Sequence, residues 1–144
     1  MPFAQIYMLE GRTPEQKKAV IEKVTQALHE ATGLPVVLTG GAEEATLTAA
    51  VRRAMRHPAV DAAAPVPVGG LAALIAGSEL LVSNDTGASH LAAALRVPSV
   101  VIFRCTDLVR WAPLNRALHR VVWDPAGYRV ADVLAAAMDL LQPG

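Results

Sequence analysis

Short apolar runs alternate with amphipathic stretches along this chain of 144 residues. Runs rich in β-branched and aliphatic side chains, each bounded by turn-forming residues, predict buried strands. Five strands are predicted, at residues 3–9, 36–38, 80–83, 99–103 and 120–123. Apolar strands that alternate with helices are typical of a parallel sheet covered on both faces. The pattern therefore predicts a doubly wound α/β fold with helices on both faces of its sheet.

Apolar residues spaced three and four apart predict the helices between these strands. The first helix is predicted to begin at Thr13, with Pro14 at its first position and Gln16 completing a capping box. Gly33 is its predicted C-cap. Further helices are predicted at residues 47–55, 71–76, 89–95 and 130–141, and a proline-rich connector separates the first two of these. No change in composition marks a boundary, so residues 1–144 are interpreted as one domain.

Composition and charge limit the classes of partner. Lysine and arginine number 13, as do aspartate and glutamate, so no overall field attracts nucleic acid. The single cysteine, Cys105, has no partner for an internal disulfide. The longest apolar stretch, residues 62–77, is interrupted by prolines and glycines and is too short to span a bilayer. We therefore expect a cytoplasmic protein without membrane insertion and without a nucleic-acid partner.

The clearest candidate site follows the predicted strand at residues 80–83, where the chain reads Asp85-Thr86-Gly87-Ala88-Ser89-His90. Ligands of such folds bind beyond the carboxyl ends of the strands, at helix N-termini. Free N–H groups and the helix dipole favour an anion there, and Thr86 and a protonated His90 add hydrogen-bond donors. The alternative is that Asp85, Thr86 and Ser89 only cap the helix.

A second candidate site lies at Gly41 and Glu43, directly after the predicted strand at residues 36–38. A glycine pair behind a strand resembles a nucleotide-binding turn, and Glu43 is placed to accept hydrogen bonds from a ribose diol. The full dinucleotide spacing and the P-loop lysine are both missing. The alternative is that Glu43 is only a favourable charge in the first turn of a helix.

The sequence indicates no metal and no other cofactor. Metal ligands usually recur at short, paired spacings. The four histidines lie far apart in the sequence, and the single cysteine has no partner at ligand spacing. Their positions are His29, His57, His90 and His119.

From residue 34 to residue 141, about three quarters of the chain, the sequence resembles the C-terminal half of glycosyltransferase family 9, the ADP-heptose:lipopolysaccharide heptosyltransferases. The matching segments are residues 34–43, 81–95 and 98–103, followed by Thr106-Asp107 and Trp111-Ala112-Pro113-Leu114. The resemblance implies a Rossmann-like domain, half of the family's two-domain fold, that binds an ADP-linked sugar. It places Asp85, Thr86, Gly87 and His90 at the donor's diphosphate and sugar, and Glu43, beside Gly41, at the adenosine ribose.

Residues 2–33 resemble a different family, the oxalocrotonate tautomerases. The similarity rests on Pro2-Phe3-Ala4-Gln5-Ile6, Leu9-Glu10-Gly11-Arg12 and Glu15-Gln16-Lys17. It implies a proton-transfer reaction in which the N-terminal amine of Pro2 is the general base and Arg12 binds a carboxylate. The resemblance ends before the segments that complete the tautomerase fold.

The two resemblances meet near Gly33 and predict a chimera, one domain built from residues 1–33 and residues 34–144. In place of the family's Phe-Gly-Pro-Thr-Asp-Pro, this chain has Phe103-Arg104-Cys105-Thr106-Asp107-Leu108. The resemblance to the transferases also leaves out their N-terminal domain, a possible partner. We therefore expect a donor-binding domain with weak or no transfer activity alone. A tautomerase using Pro2, or a fold without activity, is the alternative.

Overall fold

A computed structural model describes residues 4–7, 14–62, 66–126 and 129–142. The strands are β1 (Ala4–Tyr7), β2 (Val36–Thr39), β3 (Ala59–Asp61), β4 (Leu80–Asn84), β5 (Ser99–Phe103) and β6 (His119–Trp123). The helices are α1 (Pro14–Thr32), α2 (Ala45–Ala54), α3 (Val68–Ala76), α4 (Gly87–Leu95), α5 (Leu108–Trp111) and α6 (Val130–Leu141). A single 3-10 turn, Ala42–Glu44, precedes α2.

The strands form one parallel sheet in the order β3-β2-β1-β4-β5-β6. The predicted doubly wound α/β fold is therefore confirmed. Strand β1 lies in the middle of the sheet, and Ala4 is paired with Val36 of β2 on one side and Leu80 of β4 on the other. The strand from the tautomerase-like segment is thus a central strand.

Alternate residues of the strands face two separate layers of helices. Leu80 and Val82 pack in a core that also contains residues of α1, α2 and α6. Leu81 faces the other way and packs against residues of α3 and α4. Because strand residues alternate between faces, a short apolar strand such as β4 serves both cores. Helices therefore cover both faces of the sheet, as predicted.

Helix α1 ends as its sequence predicts. Gly33 has φ +70°, and its N–H donates to the carbonyl of His29 at 2.8 Å. A left-handed residue directly after a helix favours glycine, which has no Cβ to clash. The predicted C-cap is confirmed, whereas the predicted N-cap, Thr13, lies outside the described residues.

The stretch interpreted as a proline-rich connector contains β3 and the first turn of α3, so that interpretation was wrong. Strand β3 has three residues and lies at the edge of the sheet, where Val60 is exposed. Such a short, half-exposed strand lacks the apolar run by which the other strands are identified. Helix α3 was predicted at residues 71–76, and only its first turn was missed, because Gly69 and Gly70 have low helix propensity.

The face of α1 that packs on the sheet carries one unsatisfied hydroxyl. Thr25 is fully buried, and its Oγ1 has no hydrogen-bond partner in the part of the chain that the structure describes. We expect Thr25→Val to raise the free energy of unfolding by about 1 kcal/mol, because valine keeps the shape and removes the unpaired polar atom. Chemical denaturation measures this change.

Thr32 provides the matched control on the same helix. Its Oγ1 donates to the carbonyl of Leu28 at 2.6 Å and accepts from the N–H of Leu34 at 3.1 Å. Thr32→Val removes both hydrogen bonds and should lower stability by about 1 kcal/mol or more. Equal effects of the two substitutions would show that the Thr25 hydroxyl is satisfied in solution.

A buried histidine makes stability depend on pH. His119 begins β6, is almost fully buried, and its Nδ1 lies 2.8 Å from Oγ of Ser99. Burial lowers the pKa of His119 below its ordinary value of 6.5. The unfolded chain therefore takes up a proton that the native chain resists, so stability falls as pH drops below about 6.5 and recovers above it. Urea midpoints measured from about pH 5 to 8 should show this slope, and His119→Gln should flatten it. An unchanged slope in that variant would contradict the assignment.

Candidate functional site

The candidate site forms where β4 ends and α4 begins. Strand β4 stops at Asn84, Asp85 and Thr86 form the connection, and α4 starts at Gly87. The sheet order reverses between β1 and β4, and ligands of doubly wound folds bind at the carboxyl ends of strands at this reversal. The first N–H groups of a helix have no partner one turn earlier, and those of α4 lie at this edge, where the N–H of Ser89 bonds to the carbonyl of Thr86 at 3.0 Å. The predicted site therefore lies at the carboxyl ends of the strands, where folds of this class commonly bind ligands.

The side chains of Asp85 and Thr86 do not cap α4. Thr86 is the N-cap residue, yet its side chain accepts no hydrogen bond from the helix. Asp85 Oδ1 and Thr86 Oγ1 are both buried, and neither has a hydrogen-bond partner among the described residues. Of the three residues considered as caps, Ser89 alone bonds the helix start, through Oγ to the carbonyl of Thr86 at 2.7 Å. The capping interpretation is therefore wrong for Asp85 and Thr86.

His90 lies one turn into α4 and faces the same crevice. Its Nε2 is 3.7 Å from Oδ1 of Asp85, and the side chains of His90 and Asp85 are 50% and 9% exposed. A protonated imidazole at this place adds a positive charge to the positive end of the helix dipole. The pair offers a ligand one exposed imidazole and one buried carboxylate oxygen side by side.

Gly87 leaves open space at the helix start. A Cβ built on Gly87 would meet no other atom within 4 Å. With no side chain at this position, a bound group reaches the backbone N–H groups of the first turn directly. The space and the unpartnered side chains lie at the same helix end.

The second predicted cluster follows β2. Glu43 is exposed in the 3-10 turn, whereas Glu44 is buried and its Oε2 accepts from the N–H of Gly41 at 3.1 Å. Strand β1 separates β2 from β4, which places this turn about 10 Å from the start of α4 along the same edge. Glu43 is exposed, but its carboxylate lies against Gly41, where a Cβ would come within 2.6 Å of Oε1. The N–H of Gly41 is occupied by Glu44.

Two residues near these clusters, Glu44 and Trp111, were not predicted as part of a site. Glu44 closes the turn after β2, and the glutamate three residues beyond Gly41 is a capping-box signal that would have identified it. Trp111 of α5 packs edge-on against His90, with ring centroids 6.0 Å apart. No local sequence pattern predicts this contact, because His90 and Trp111 lie on helices that follow two different strands, β4 and β5.

Pro2 and Arg12, the residues predicted for tautomerase chemistry, lie outside the described residues. The structure brings together two histidines that are distant in sequence, with the rings of His29 and His57 at 4.4 Å. No group of three potential metal ligands occurs among the residues that the structure describes. Within the same residues, no helix is long and apolar enough to cross a membrane.

Comparison with known proteins finds two families along the chain. The N-terminal part is similar to 2-hydroxymuconate tautomerase of Pseudomonas putida, with 81% identity over 36 residues, 25% of this chain and 57% of that protein. Another similarity is to lipopolysaccharide heptosyltransferase 3 of Escherichia coli, with 35% identity over 98 residues, 66% of this chain and 28% of that protein. The chain thus spans just over half of the tautomerase and under a third of the transferase. The two similarities agree with a chimera.

Solved structures share the fold of the whole chain. A glycosyltransferase of family 9 from Veillonella parvula superposes with a TM-score of 0.76 at 20% identity, covering 96% of this chain and 46% of that one. The Escherichia coli heptosyltransferase WaaC with ADP-2-deoxy-2-fluoro heptose gives a TM-score of 0.67 at 22% identity, covering 96% and 42%. Each superposition leaves out only 4% of this chain, so it includes most of the 19 residues of α1. The tautomerase-like segment therefore occupies a place in the transferase fold.

The family profile agrees with the fold. The profile of glycosyltransferase family 9 (heptosyltransferase) matches residues 17–128, which include both predicted clusters and most of the sheet. Its match starts within α1, so it overlaps the tautomerase-like segment. On this match the chain belongs to glycosyltransferase family 9, with a tautomerase-like segment at its N-terminus.

Proposed function

We propose that this chain binds an ADP-linked sugar. The proposed site lies between the turn that follows β2 and the N-terminus of α4. The observation that carries the proposal is a pair of buried oxygens at a helix N-terminus, Asp85 Oδ1 and Thr86 Oγ1, that have no hydrogen-bond partner among the described residues. Buried polar atoms are almost always satisfied, so two unsatisfied ones side by side favour a site that a ligand completes.

The chemistry of each group fits a different part of such a ligand. A carboxylate oxygen needs a donor, and Asp85 therefore suits the hydroxyls of a sugar better than a phosphate. Thr86, the N–H groups next to Gly87 and a protonated His90 supply donors and positive charge for a diphosphate. Glu43, exposed at the neighbouring turn, suits the hydroxyls of the adenosine ribose.

Related proteins narrow the ligand. The solved WaaC structures carry ADP and ADP-2-deoxy-2-fluoro heptose, and the similar Escherichia coli protein is named a lipopolysaccharide heptosyltransferase. We extend this ligand class to the present chain as a proposal, with synthesis of the lipopolysaccharide core as its setting and the cytoplasm as its location. The exposed, unpaired Cys105 agrees with a reducing compartment.

We further propose that the chain binds a donor without transferring it efficiently on its own. It spans 46% of the Veillonella parvula transferase. The resemblance to the family implies that acceptor contacts lie in the N-terminal domain, outside this share. The family's N-terminal domain is the partner that this proposal requires. The proposed organisation is one domain, residues 1–144, in which residues 1–33 replace the corresponding strand and helix of the transferase.

ADP is expected to raise the melting temperature of the protein. A ligand at ten times its Kd adds about 1.4 kcal/mol to native stability, or about 5 °C for a domain of this size. Asp85→Ala and His90→Ala should each reduce this shift strongly. Because Asp85 Oδ1 has no hydrogen-bond partner in the part of the chain that the structure describes, and His90 is half-exposed, both variants should fold. Differential scanning fluorimetry with ADP and ADP-sugars measures the shift.

Asp139→Ala is the matched control, since it removes one carboxylate from the far edge of the sheet. Asp139 pairs there with Arg120, near the start of β6, at 2.7 Å. This variant should lose a little stability and keep the full shift with ADP. Absence of any shift with millimolar ADP or ADP-sugar in the unmodified chain would refute nucleotide-sugar binding.

Tautomerase activity through Pro2 is the second candidate, and its support is the 81% identity to the Pseudomonas putida enzyme. Small dicarboxylates in the same thermal panel test it, together with mass spectrometry of the N-terminus, because a retained Met1 converts the Pro2 amine into an amide without basicity. A shift with a dicarboxylate that Pro2→Ala and Arg12→Ala remove would favour this activity. A shift with neither ligand class would favour a fold without activity.

A further inference from the structure

Two histidines that are far apart in the sequence meet at the edge of the sheet where the strands begin. His29 lies in the last turn of α1, and His57 lies between α2 and β3. Their imidazole rings are tilted by 35°, with centroids 4.4 Å apart. Strands β2 and β3 start beside them, at Val36 and Ala59, whereas the candidate donor site lies at the carboxyl ends of the strands. The histidine pair is therefore separate from the candidate donor site.

The surroundings of each ring determine which nitrogen carries the hydrogen. Nδ1 of His29 lies 2.9 Å from the carbonyl oxygen of Leu34. A carbonyl only accepts, so this Nδ1 donates, and Nε2 keeps a lone pair when the ring is neutral. Nε2 of His57 lies 3.7 Å from Oε1 of Glu30. The carboxylate favours the hydrogen on that Nε2, which leaves the lone pair on Nδ1 of His57.

The same surroundings are typical of histidines that bind metal ions. Such a histidine almost always donates its other ring N–H to a backbone carbonyl or a carboxylate, which fixes the tautomer and makes the free nitrogen more basic. His29 has the carbonyl, and His57 has the carboxylate. Arg56 lies 3.4 Å from the same oxygen of Glu30, and this second contact helps to hold the carboxylate beside His57.

The spacing of the two rings fits one metal ion. Metal–nitrogen bonds to imidazole are about 2.1 Å long, so two imidazoles at right angles around one ion have ring centroids about 4.5 Å apart. A tetrahedral angle would separate the centroids by about 5 Å. The observed 4.4 Å agrees with the right angle, which is typical of square-planar or tetragonal copper(II) and nickel(II).

We propose that His29 and His57 bind one divalent transition-metal ion, with copper(II) preferred. Nε2 of His29 and Nδ1 of His57 are the protein ligands, and water fills the other positions, since both side chains are half-buried and accessible. Imidazole suits copper and nickel, and copper(II) has the highest affinity among the divalent first-row metals. A site with two protein ligands agrees with the finding that no group of three potential ligands occurs among the described residues.

The proposed metal site connects the two segments of the chain. His29 belongs to the tautomerase-like segment and His57 to the transferase-like segment. Folding brings the two ligands together, so the ion binds the native chain in preference to the unfolded chain and stabilises it. The spacing of the histidines in the sequence does not indicate this site, because the packing of α1 beside α2 creates it. The proposal does not depend on ADP binding.

Isothermal titration calorimetry of the full chain, prepared without a histidine tag, tests the proposal. We expect one Cu²⁺ per chain at about pH 7.5, weaker binding of Ni²⁺ and Zn²⁺, and no binding of Mg²⁺. H29Q and H57Q should each weaken Cu²⁺ binding about ten-fold or more, because one imidazole alone loses the advantage of a linked second ligand. H90Q removes another exposed histidine and is the matched control, which should bind Cu²⁺ like the unmodified chain.

Two further measurements show whether both rings hold the ion. Electron paramagnetic resonance should detect two imidazole nitrogens on the bound Cu²⁺, and one in H29Q or H57Q. Cu²⁺ at ten times its Kd should raise the melting temperature by about 5 °C, and H29Q/H57Q should lose this shift. The shift should also decline from about pH 7 to about pH 5, because protonation of the imidazoles removes both lone pairs. Glu30 and Arg56 are the charged groups beside the pair.

Three outcomes would overturn the proposal. They are no Cu²⁺ binding to the unmodified chain, unchanged Cu²⁺ binding in both H29Q and H57Q, and an equal loss of binding in H90Q or C105S. The last outcome would assign the ion to another histidine or to the exposed thiol of Cys105. Circular dichroism of each variant checks that the fold is intact.

Discussion

Ile6→Pro is expected to cost about 4 kcal/mol or more of stability and to leave much of the protein unfolded. Ile6 is paired with Leu38 of β2 on one side and with Val82 of β4 on the other. Proline cannot donate a hydrogen bond, and in a central strand every backbone N–H belongs to a ladder. The free energy of unfolding of a typical domain is about 5–15 kcal/mol, so this loss is a large part of the total stability.

Ala59→Pro in β3 is the matched control. The N–H of Ala62 donates to the carbonyl of Leu38 in β2. Successive N–H groups of a strand point to opposite sides, so the N–H of Ala59, three residues earlier, points away from β2. β3 is an edge strand, and proline is tolerated at the first residue of such a strand. Urea denaturation followed by circular dichroism compares the two variants. Similar losses would mean that β1 is not a central strand in solution.

A larger loss in Ile6→Pro than in Ala59→Pro would help to explain how segments of two families form one domain. A strand, a helix and a second parallel strand form a unit whose crossover has one preferred hand in all parallel sheets. A strand-helix unit from one parallel sheet therefore fits into a different parallel sheet, provided that its strand is apolar and its helix has an apolar face. β1 and α1 meet the geometric part of this condition by pairing with β2 and packing on α2 and α6.

Sequence patterns predicted most of this fold because its strands are buried on both faces. Strands β2 and β5 consist of buried residues throughout, and β4 is buried except at Asn84, which produces the continuous apolar runs that were recognised. β3 was missed because a short edge strand is half-exposed and carries no such run. The central position of β1 was also beyond prediction, since strand order depends on long-range pairing and not on local pattern.

The candidate site was predicted in part, for a related reason. Asp85, Thr86, Gly87 and His90 are adjacent in sequence, so a helix N-terminus brings them together without any tertiary information. Whether Asp85 and Thr86 cap the helix or leave their oxygens unpaired depends on rotamers and burial, which sequence does not specify. The contact of Trp111 with His90 depends on the adjacency of β4 and β5 and required the structure.

Leu28→Ala is expected to lower the free energy of unfolding by about 3 kcal/mol, within the range for fully buried leucines. Leu28 lies on α1, in the tautomerase-like segment, and is 1% exposed in the core that it shares with residues of the transferase-like segment. Removing it leaves a cavity between α1 and the sheet. Lys23→Ala on the exposed face of α1 should change stability by less than about 0.5 kcal/mol.

A double-mutant cycle shows whether this core is truly shared between the two segments. Val51 of α2 is fully buried in the same cluster as Leu28, and α1 packs directly against α2. If the two segments form one core, Leu28→Ala and Val51→Ala should be coupled by about 0.5–3 kcal/mol in chemical denaturation. Strict additivity, or two separate unfolding transitions, would mean that α1 packs as an independent unit. Energetic coupling between the two substitutions, together with a single unfolding transition, would show that the tautomerase-like helix is part of the transferase core.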